Sequence, residues 1–286
     1  SIMCRCDQII LNPTTFLRKP ELWAQIVSEQ KVSITAIPNF AMNLILRTFD
    51  EEKYDQCNLE SLRVIATAGE GVSSKTCRNF EKTFLGAKLV SGIIIPAYGL
   101  AEATAAVTCV QSGQPLTICT IKSEIKIGDR IQLCHSNSEY KTRQLVGCGA
   151  PLACNKIFIC DDDNNILEDG TIGNIFISGS NISQGYYMNA EASKNLMIDG
   201  MLSTGDIGFV YKNELFITGR KKDMIVLNGK NYFFSDIEKT LKDSIPELNS
   251  TEIAAFKVYN PNLEKEDLCI AIESSNENSD VEDSLE

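Results

Sequence analysis

The stretch LSTGDIGFVYKNELFITGRKKDMIVLNGKNYFFSDIE, residues 202–238, determines how the rest of the chain is interpreted. Its apolar alternation predicts strands over 207–211, 215–218 and 224–227, a tight turn at 212–213 and a helix from about residue 235. Asp206 and Arg220 are predicted at strand ends, each directly after a Thr-Gly pair. A carboxylate accepts two hydrogen bonds and a guanidinium offers a fixed fork of donors, so the pair suits the ribose of a nucleotide. The alternative is a β-hairpin whose ends carry a solvated Asp and Arg.

Length and charge narrow the possible classes of protein. A chain of 286 residues buries roughly 75% of its extended surface, enough for one large domain or two. The net charge is -11, and residues 273–286 contain six carboxylates and no Lys or Arg, which predicts an acidic tail. Because phosphate contacts need clustered Lys and Arg, no nucleic-acid partner is expected.

The cysteines and the single histidine argue against metal and hydrolase chemistry. Eleven cysteines are spread mostly through apolar runs, which is typical of reduced thiols in a cytoplasmic protein. Cys4 and Cys6 are too close for a zinc pair, and His135, the only histidine, lies in a polar loop. A Ser-His-Asp hydrolase is therefore not expected. The most apolar stretch, 93–110, contains Pro, Gly and Glu, so no stable membrane insertion is expected either.

Strands and helices alternate in the first part of the chain. Strands are predicted over 33–37, 62–67 and 88–95, and helices over 20–31, 39–48 and 73–85. This order predicts an α/β fold with a mainly parallel sheet, whose ligands bind at the carboxyl ends of the strands. The segments 38–40, 68–70 and 98–102 fall at those ends.

The later part of the chain predicts an appended β-rich region and a second domain. Residues 111–147 form a polar connection with short strand-like pieces, longer than an ordinary loop and therefore an insertion or a functional segment. Strands are expected over 156–160 and 173–178, and the large domain is expected to end at residue 219. A helix over 235–242 and strands over 252–258 and 268–272 predict the start of a small, mobile α+β C-terminal domain over 220–272.

The segment Tyr98-Gly99-Leu100-Ala101-Glu102 is the second candidate site. An aromatic face can stack on a purine, Gly99 lets the backbone approach a ligand, and Glu102 supplies a hard oxygen for Mg²⁺ beside phosphates. The alternative is a core tyrosine followed by a helix start at which Glu is favoured by the helix dipole.

Five sequence motifs, taken in order, indicate a protein family. The motifs are PNFA (38–41), AGEGV (68–72), YGLAEAT (98–104), STGDIGF (203–209) and TGRKKDMIVLNGKNYFFSDIE (218–238). Their order and spacing resemble the adenylate-forming superfamily of acyl-CoA synthetases, peptide-synthetase adenylation domains and luciferases. Within it the fatty acyl-AMP ligases are the best match, through residues 12–44, Ala101, LVGCGAP (145–151) and the Lys222-Asp223 pair.

The resemblance implies roles around an adenine ring. Tyr98 would stack on the adenine, with Gly99 beside it. The backbone of Ala68, Gly69 and Glu70 would line the adenine pocket.

The resemblance also implies roles for charged residues. Glu102 would reach Mg²⁺, and Asp206 would hold the ribose hydroxyls with Arg220 beside it. Lys222 would be the hinge about which the small domain rotates, and the 111–147 segment would restrict that rotation.

The activity implied is the activation of a fatty acid with ATP and Mg²⁺ to an acyl-adenylate, passed to an acyl carrier protein or polyketide synthase. The family's phosphate-binding loop and catalytic lysine have no counterpart here, so no catalytic residue is assigned. The chain is expected to be truncated at both ends and nearly inactive alone. The alternatives are an acyl-CoA ligase, an amino-acid adenylation domain, or a non-catalytic module that binds adenylate or acyl ligands.

Overall fold

The computed structural model describes residues 5–54, 56–134, 141–227, 230–248, 251–260 and 265–273. The chain divides into two compact units. The first comprises Ser1–Ser123 and Ile127–Thr218, and the second comprises Glu124–Lys126 and Gly219–Glu286. The division after Thr218 lies one residue before the boundary expected from sequence.

The first unit combines helices with two larger sheets and a separate strand pair. Its helices are α1 (Pro13–Arg18), α2 (Leu22–Gln30), α3 (Asn39–Arg47), α4 (Glu51–Tyr54), α5 (Ser74–Thr83) and α6 (Ala190–Leu196). Its strands are β1 (Ile34–Ala36), β2 (Val64–Thr67), β3 (Ile94–Tyr98), β4 (Thr108–Cys109), β5 (Ile118–Lys122), β6 (Thr142–Val146), β7 (Ala150–Pro151), β8 (Asn155–Cys160), β9 (Gly173–Gly179), β10 (Met197–Ile198), β11 (Met201–Tyr211) and β12 (Glu214–Arg220), the last of which continues into the second unit.

The first sheet has the strand order β1-β2-β3-β4-β7. β1, β2 and β3 are parallel, whereas β4 and β7 are added in antiparallel fashion. The parallel strands end at Ala36, Thr67 and Tyr98, so the segments that follow them leave the same edge of the sheet. The predicted α/β fold class is confirmed.

Two predicted strands begin later than expected, and for one of them the backbone gives a local reason. The strand predicted over 88–95 begins only at Ile94 and continues to Tyr98, and the one predicted over 62–67 begins at Val64. Lys88 and Gly92 have positive φ angles of 61° and 78°, so the backbone turns repeatedly before the strand starts. The apolar residues in this segment are partly core residues of a turn, which periodicity alone does not distinguish from a strand.

An aromatic cluster packs the helices against the first sheet. The rings of Phe80 and Phe84, both fully buried, lie 5.5 Å and 5.9 Å from that of Trp23, in edge-to-face arrangements. Helix α5 starts where the side chain of Ser73 accepts a hydrogen bond from Thr76 N at 3.2 Å, as expected for an N-cap. This cap fixes the path of the chain just beyond the 68–70 segment.

The second sheet contains the first half of the stretch 202–238, in strands β11 and β12. Its order is β10-β11-β9-β8, with β12 paired to β11 through the turn at 212–213. The predicted turn and the strands over 156–160, 173–178 and 215–218 are present within β8, β9 and β12. The segment 111–147 is more regular than expected, because β5 and β6 within it form an antiparallel pair of five residues each.

The second unit contains strands β13 (Met224–Leu227), β14 (Lys230–Phe233), β15 (Ile253–Asn260) and β16 (Lys265–Ile272) and helix α7 (Phe234–Ser244). β13 pairs with β14 and β15 with β16, both antiparallel. α7 packs on β15, and Glu238 Oε1 accepts a hydrogen bond from Ala255 N at 2.9 Å. Residues 124–126 of the predicted insertion belong to this unit, where Ile125 O accepts from Asn231 Nδ2 at 3.5 Å.

The described ranges contain ten of the eleven cysteines. Their cysteines form no disulfide, and Cys77, Cys119, Cys148 and Cys160 are buried. Within the same ranges no helix combines the length and apolarity needed to cross a membrane. The acidic tail predicted for 273–286 lies outside the described residues except for Glu273.

Candidate nucleotide site

Tyr98 and Asp206 meet between the two larger sheets of the first unit. The hydroxyl of Tyr98, at the end of β3, donates a hydrogen bond to Asp206 Oδ2 on β11 at 2.6 Å. Asp206 is only 5% exposed, so this charge-assisted bond satisfies a carboxylate that is largely removed from water. The two candidate residues, 108 positions apart in sequence, therefore belong to one cluster.

Asp206 is held by an irregularity within β11 and not by a strand end. The expectation that its strand begins at residue 207 is wrong, because β11 runs from Met201 and its register against β9 shifts between Ser203 and Ile207. Gly205 takes a positive φ of 73° at this bulge. The hydroxyl of Thr204 donates to Ile175 O at 2.9 Å and accepts from Asp206 N at 3.1 Å. The bulge thus directs the carboxylate toward β3.

The segment after β3 folds back sharply and brings Glu102 into a 3₁₀ turn, Ala101–Ala103. A side chain at Gly99 is excluded, because a Cβ there would lie 1.6 Å from Ala105 O. Val107 N then donates to Tyr98 O at 2.8 Å, which closes the loop. Ala103 and Val107 are fully buried against the second sheet, so the turn that carries Glu102 is anchored on the sheet that carries Asp206.

Glu102 has a partner that sequence reasoning missed. Its Oε1 accepts a hydrogen bond from the hydroxyl of Tyr186 at 2.5 Å, and its backbone oxygen accepts from Ser183 N at 2.7 Å. The bond to Glu102 raises the pKa of Tyr186 above its ordinary value, and desolvation and the negative charge of Glu102 act in the same direction. Tyr186 lies in an irregular loop with no periodic signal, so only the fold reveals this contact.

The 68–70 segment contributes its backbone and one carboxylate. Gly69 has a φ of 89°, a conformation that a glycine adopts without strain. Glu70 Oε1 accepts a hydrogen bond from Phe40 N at 2.6 Å, and Asn39 Oδ1 accepts from Ser73 N at 3.0 Å. These two bonds tie the segment after β2 to the start of α3, so the segments after the first two strands form one connected rim. Ala68 is exposed at this rim.

Arg220 and Lys222 lie in the second unit. Arg220 is the last residue of β12, which extends two residues beyond the predicted strand 215–218, and Lys222 is in the 3₁₀ turn Lys221–Asp223 that follows. Their roles beside the ribose and as a hinge stay predictions.

Mg²⁺ is bound by oxygen donors, which carboxylate side chains supply. No group of three or more His, Cys, Asp or Glu side chains in the described ranges converges as a metal site. Mg²⁺ is often held by one or two carboxylates together with substrate phosphates, and the half-buried, hydrogen-bonded Glu102 carboxylate fits that mode.

Polar groups gathered at the carboxyl ends of parallel strands are typical of α/β proteins that bind nucleotides. Comparison with known proteins specifies the class. The family model described as AMP-binding enzyme matches residues 1–187 of the 286. The chain belongs to this family.

The relatives include a fatty-acid ligase and an adenylyltransferase. The chain is 32% identical over 259 residues to the medium-chain-fatty-acid–[acyl-carrier-protein] ligase JamA of Moorena producens, with 87% of this chain and 44% of JamA covered. It is 30% identical over 271 residues to a 4-hydroxyphenylalkanoate adenylyltransferase of Mycobacterium tuberculosis, with coverages of 90% and 42%.

A solved structure of the same kind shares the fold. The fatty acyl-adenylate ligase from L. pneumophila, in complex with acyl adenylate and pyrophosphate, matches with a TM-score of 0.72 and 27% identity, over 96% of this chain and 49% of that one. The chain thus spans less than half the length of each of these three proteins.

Proposed function

We propose that the protein containing this chain activates a fatty acid with ATP and Mg²⁺, forming an acyl-adenylate and pyrophosphate. The observation that carries the proposal is the Tyr98–Asp206 bond, which joins an aromatic platform and a carboxylate at the carboxyl end of β3. Family membership and the similarity to JamA and to the L. pneumophila ligase support the same reaction.

The reaction needs no nucleophilic side chain. The carboxylate oxygen of the fatty acid bonds to the α-phosphorus of ATP, the bond from that phosphorus to the bridging oxygen breaks, and pyrophosphate leaves with the electron pair. The protein positions the reactants and stabilises charge. In this proposal the ring of Tyr98 stacks on adenine beside the backbone of residues 68–70, and Asp206 accepts hydrogen bonds from the ribose hydroxyls.

Glu102 is the residue that would hold Mg²⁺, and the chemistry a bound Mg²⁺ supplies is neutralisation of phosphate charge. Arg220 is proposed to contact the ribose and Lys222 to act as the hinge of the small domain, with the 111–147 segment limiting its rotation. These assignments rest on the resemblance of the motifs.

We further propose an acyl carrier protein, alone or as part of a polyketide synthase, as the acceptor of the acyl group, and a cytoplasmic location. The name of JamA specifies an acyl carrier protein for that relative. The buried cysteines, which form no disulfide in the described ranges, agree with a reducing compartment.

The test is fatty-acid-dependent exchange between ATP and labelled pyrophosphate in the full-length protein, with products identified by mass spectrometry. The proposal predicts exchange with fatty acids, acyl transfer to a carrier protein and little acyl-CoA when coenzyme A is added. Asp206→Ala is expected to weaken ATP binding about tenfold or more, because a charge-assisted bond is lost. The matched control is Asp169→Ala, an exposed carboxylate on another loop.

Two results would contradict the proposal. Unchanged ATP affinity in Asp206→Ala would remove the ribose assignment. Abundant acyl-CoA would show that the protein is an acyl-CoA ligase and that coenzyme A, not a carrier protein, accepts the acyl group.

A further inference from the structure

The loop of residues 181–189, together with the first turn of α6, is attached to the turn that carries Glu102. Three backbone-directed hydrogen bonds join them: Ser183 N donates to Glu102 O at 2.7 Å, Asn181 Nδ2 donates to Ala103 O at 2.8 Å, and the Thr104 hydroxyl donates to Asn181 O at 2.8 Å. These bonds go to three consecutive residues, the last two of the turn and Thr104 directly after it, and they attach the loop to the turn.

The same loop is stiffened around Tyr186. The hydroxyl of Ser193 accepts from Tyr186 N at 2.8 Å and donates to Asn189 O at 2.6 Å. The hydroxyl of Ser183 accepts from Gly185 N at 3.2 Å. Gly185 has a φ of 142°, and a Cβ there would lie 2.7 Å from Ser193 Oγ, so the loop closes tightly on itself. The position of the Tyr186 side chain is therefore set by the loop.

The phenol of Tyr186 reaches the carboxylate through this loop, with a distance of 2.5 Å between its hydroxyl oxygen and Glu102 Oε1. The neighbouring Tyr187 is 93% exposed, compared with 43% for Tyr186. The two adjacent tyrosines thus differ in their exposure and in the bond that Tyr186 makes to Glu102.

A carboxylate on a flexible side chain samples several rotamers, and a donor on one oxygen selects among them before any ligand binds. Such preorganisation stabilises binding because the entropy of ordering is lost in advance. Since the loop is attached to the backbone of Glu102, to the two residues that follow it and to its carboxylate, it acts on the orientation of that side chain.

We propose that Tyr186 is a positioning residue, which orients the Glu102 carboxylate for the binding of Mg²⁺ with the phosphates of ATP. This inference rests on the proposed function, in which Glu102 holds the metal. It adds a residue to which neither motif spacing nor the family resemblance pointed.

The experiment compares wild-type, Tyr186→Phe and Tyr187→Phe forms of the full-length protein. Calorimetry measures ATP affinity with EDTA and again with saturating Mg²⁺, and the exchange assay measures the Mg²⁺ concentration for half-maximal rate. Tyr186→Phe keeps the ring and removes only the hydroxyl. We expect it to raise the half-saturating Mg²⁺ about threefold to tenfold, the size of one hydrogen bond, with ATP affinity in EDTA unchanged. Tyr187→Phe is expected to match the wild type in both measurements.

A merely structural role would give a different pattern, since a loosened loop would weaken metal-free and metal-dependent binding together. Equal Mg²⁺ dependence in Tyr186→Phe and wild type, with normal ATP binding, would overturn the positioning role alone. A wild-type protein whose ATP binding does not respond to Mg²⁺ would overturn this inference, and one that does not bind ATP at all would overturn the proposed function as well. In Glu102→Gln, adding Tyr186→Phe should change the Mg²⁺ dependence less than it does alone.

Discussion

The hydroxyl of Tyr98 donates a 2.6 Å hydrogen bond to Oδ2 of Asp206, which connects the end of a parallel strand to a bulge in an antiparallel sheet. The bond restrains both partners: the aromatic ring at the end of β3 and a carboxylate that is 5% exposed. A ring and a carboxylate held in this way can bind a base and a sugar with little further ordering.

This relationship predicts a graded response at position 98. Tyr98→Phe keeps a stacking face but removes the donor to Asp206, so ATP affinity should fall about threefold to tenfold. Tyr98→Leu removes the face too and should cost at least another factor of about three. Calorimetric titration with ATP separates the two contributions. Identical affinities for the Phe and Leu variants would argue against stacking.

Gly99 is expected to be intolerant of even a methyl group. The Cβ of Gly99→Ala would lie 1.6 Å from Ala105 O, a backbone atom that can move only with the whole turn. We expect a loss of about 2 to 3 kcal/mol or more in the free energy of unfolding, measured by urea denaturation. Gly86→Ala is the control, because a Cβ there meets nothing within 4 Å. Equal stabilities of the two variants would contradict the described turn.

Glu70 is predicted to stabilise the start of α3. Glu70→Ala removes the acceptor of the 2.6 Å bond from Phe40 N, which should lower the free energy of unfolding by about 1 kcal/mol, as for the loss of a helix cap. Glu70→Gln retains an acceptor oxygen and should lose less. Urea denaturation of both variants is the measurement, and a larger loss in the Gln variant would be inconsistent with a capping role.

The thiols predict a pH-dependent pattern of alkylation. Burial, followed by the nearby Glu214 carboxylate, raises the pKa of Cys148 to about 12 from an ordinary 9.0, so its thiolate fraction at pH 8 is about a thousandfold lower. Iodoacetamide should therefore modify the exposed Cys154 rapidly and Cys148 only after unfolding, as followed by peptide mass spectrometry. The stability this thiol contributes is present below pH 9 and falls as the pH rises from there toward 12. Rapid labelling of Cys148 in the folded protein would contradict the burial of its thiol.

The sequence predicted the alternation of strands and helices and several candidate residues because these depend on local patterns. Strand ends are often followed by Pro or Gly, because these residues favour turns, and the chain has Pro38, Gly69 and Gly99 at such places. The bulge at Gly205 was not predictable, since it arises from the register between β11 and β9, two strands separated in sequence. The Tyr186–Glu102 bond was missed for the same reason: 84 positions separate the two residues, and their meeting depends on how a loop docks on the second sheet.

The central claim is that Tyr98, Glu102 and Asp206 converge on one bound adenosine phosphate. The most direct measurement is a crystal structure of the full-length protein with Mg²⁺ and a non-hydrolysable acyl-adenylate analogue. The account predicts the adenine stacked on Tyr98, a ribose hydroxyl about 2.7 to 3.2 Å from an Asp206 oxygen, and Glu102 directed at the metal and phosphate. An analogue bound elsewhere, with Asp206 turned away from the ribose, would contradict it.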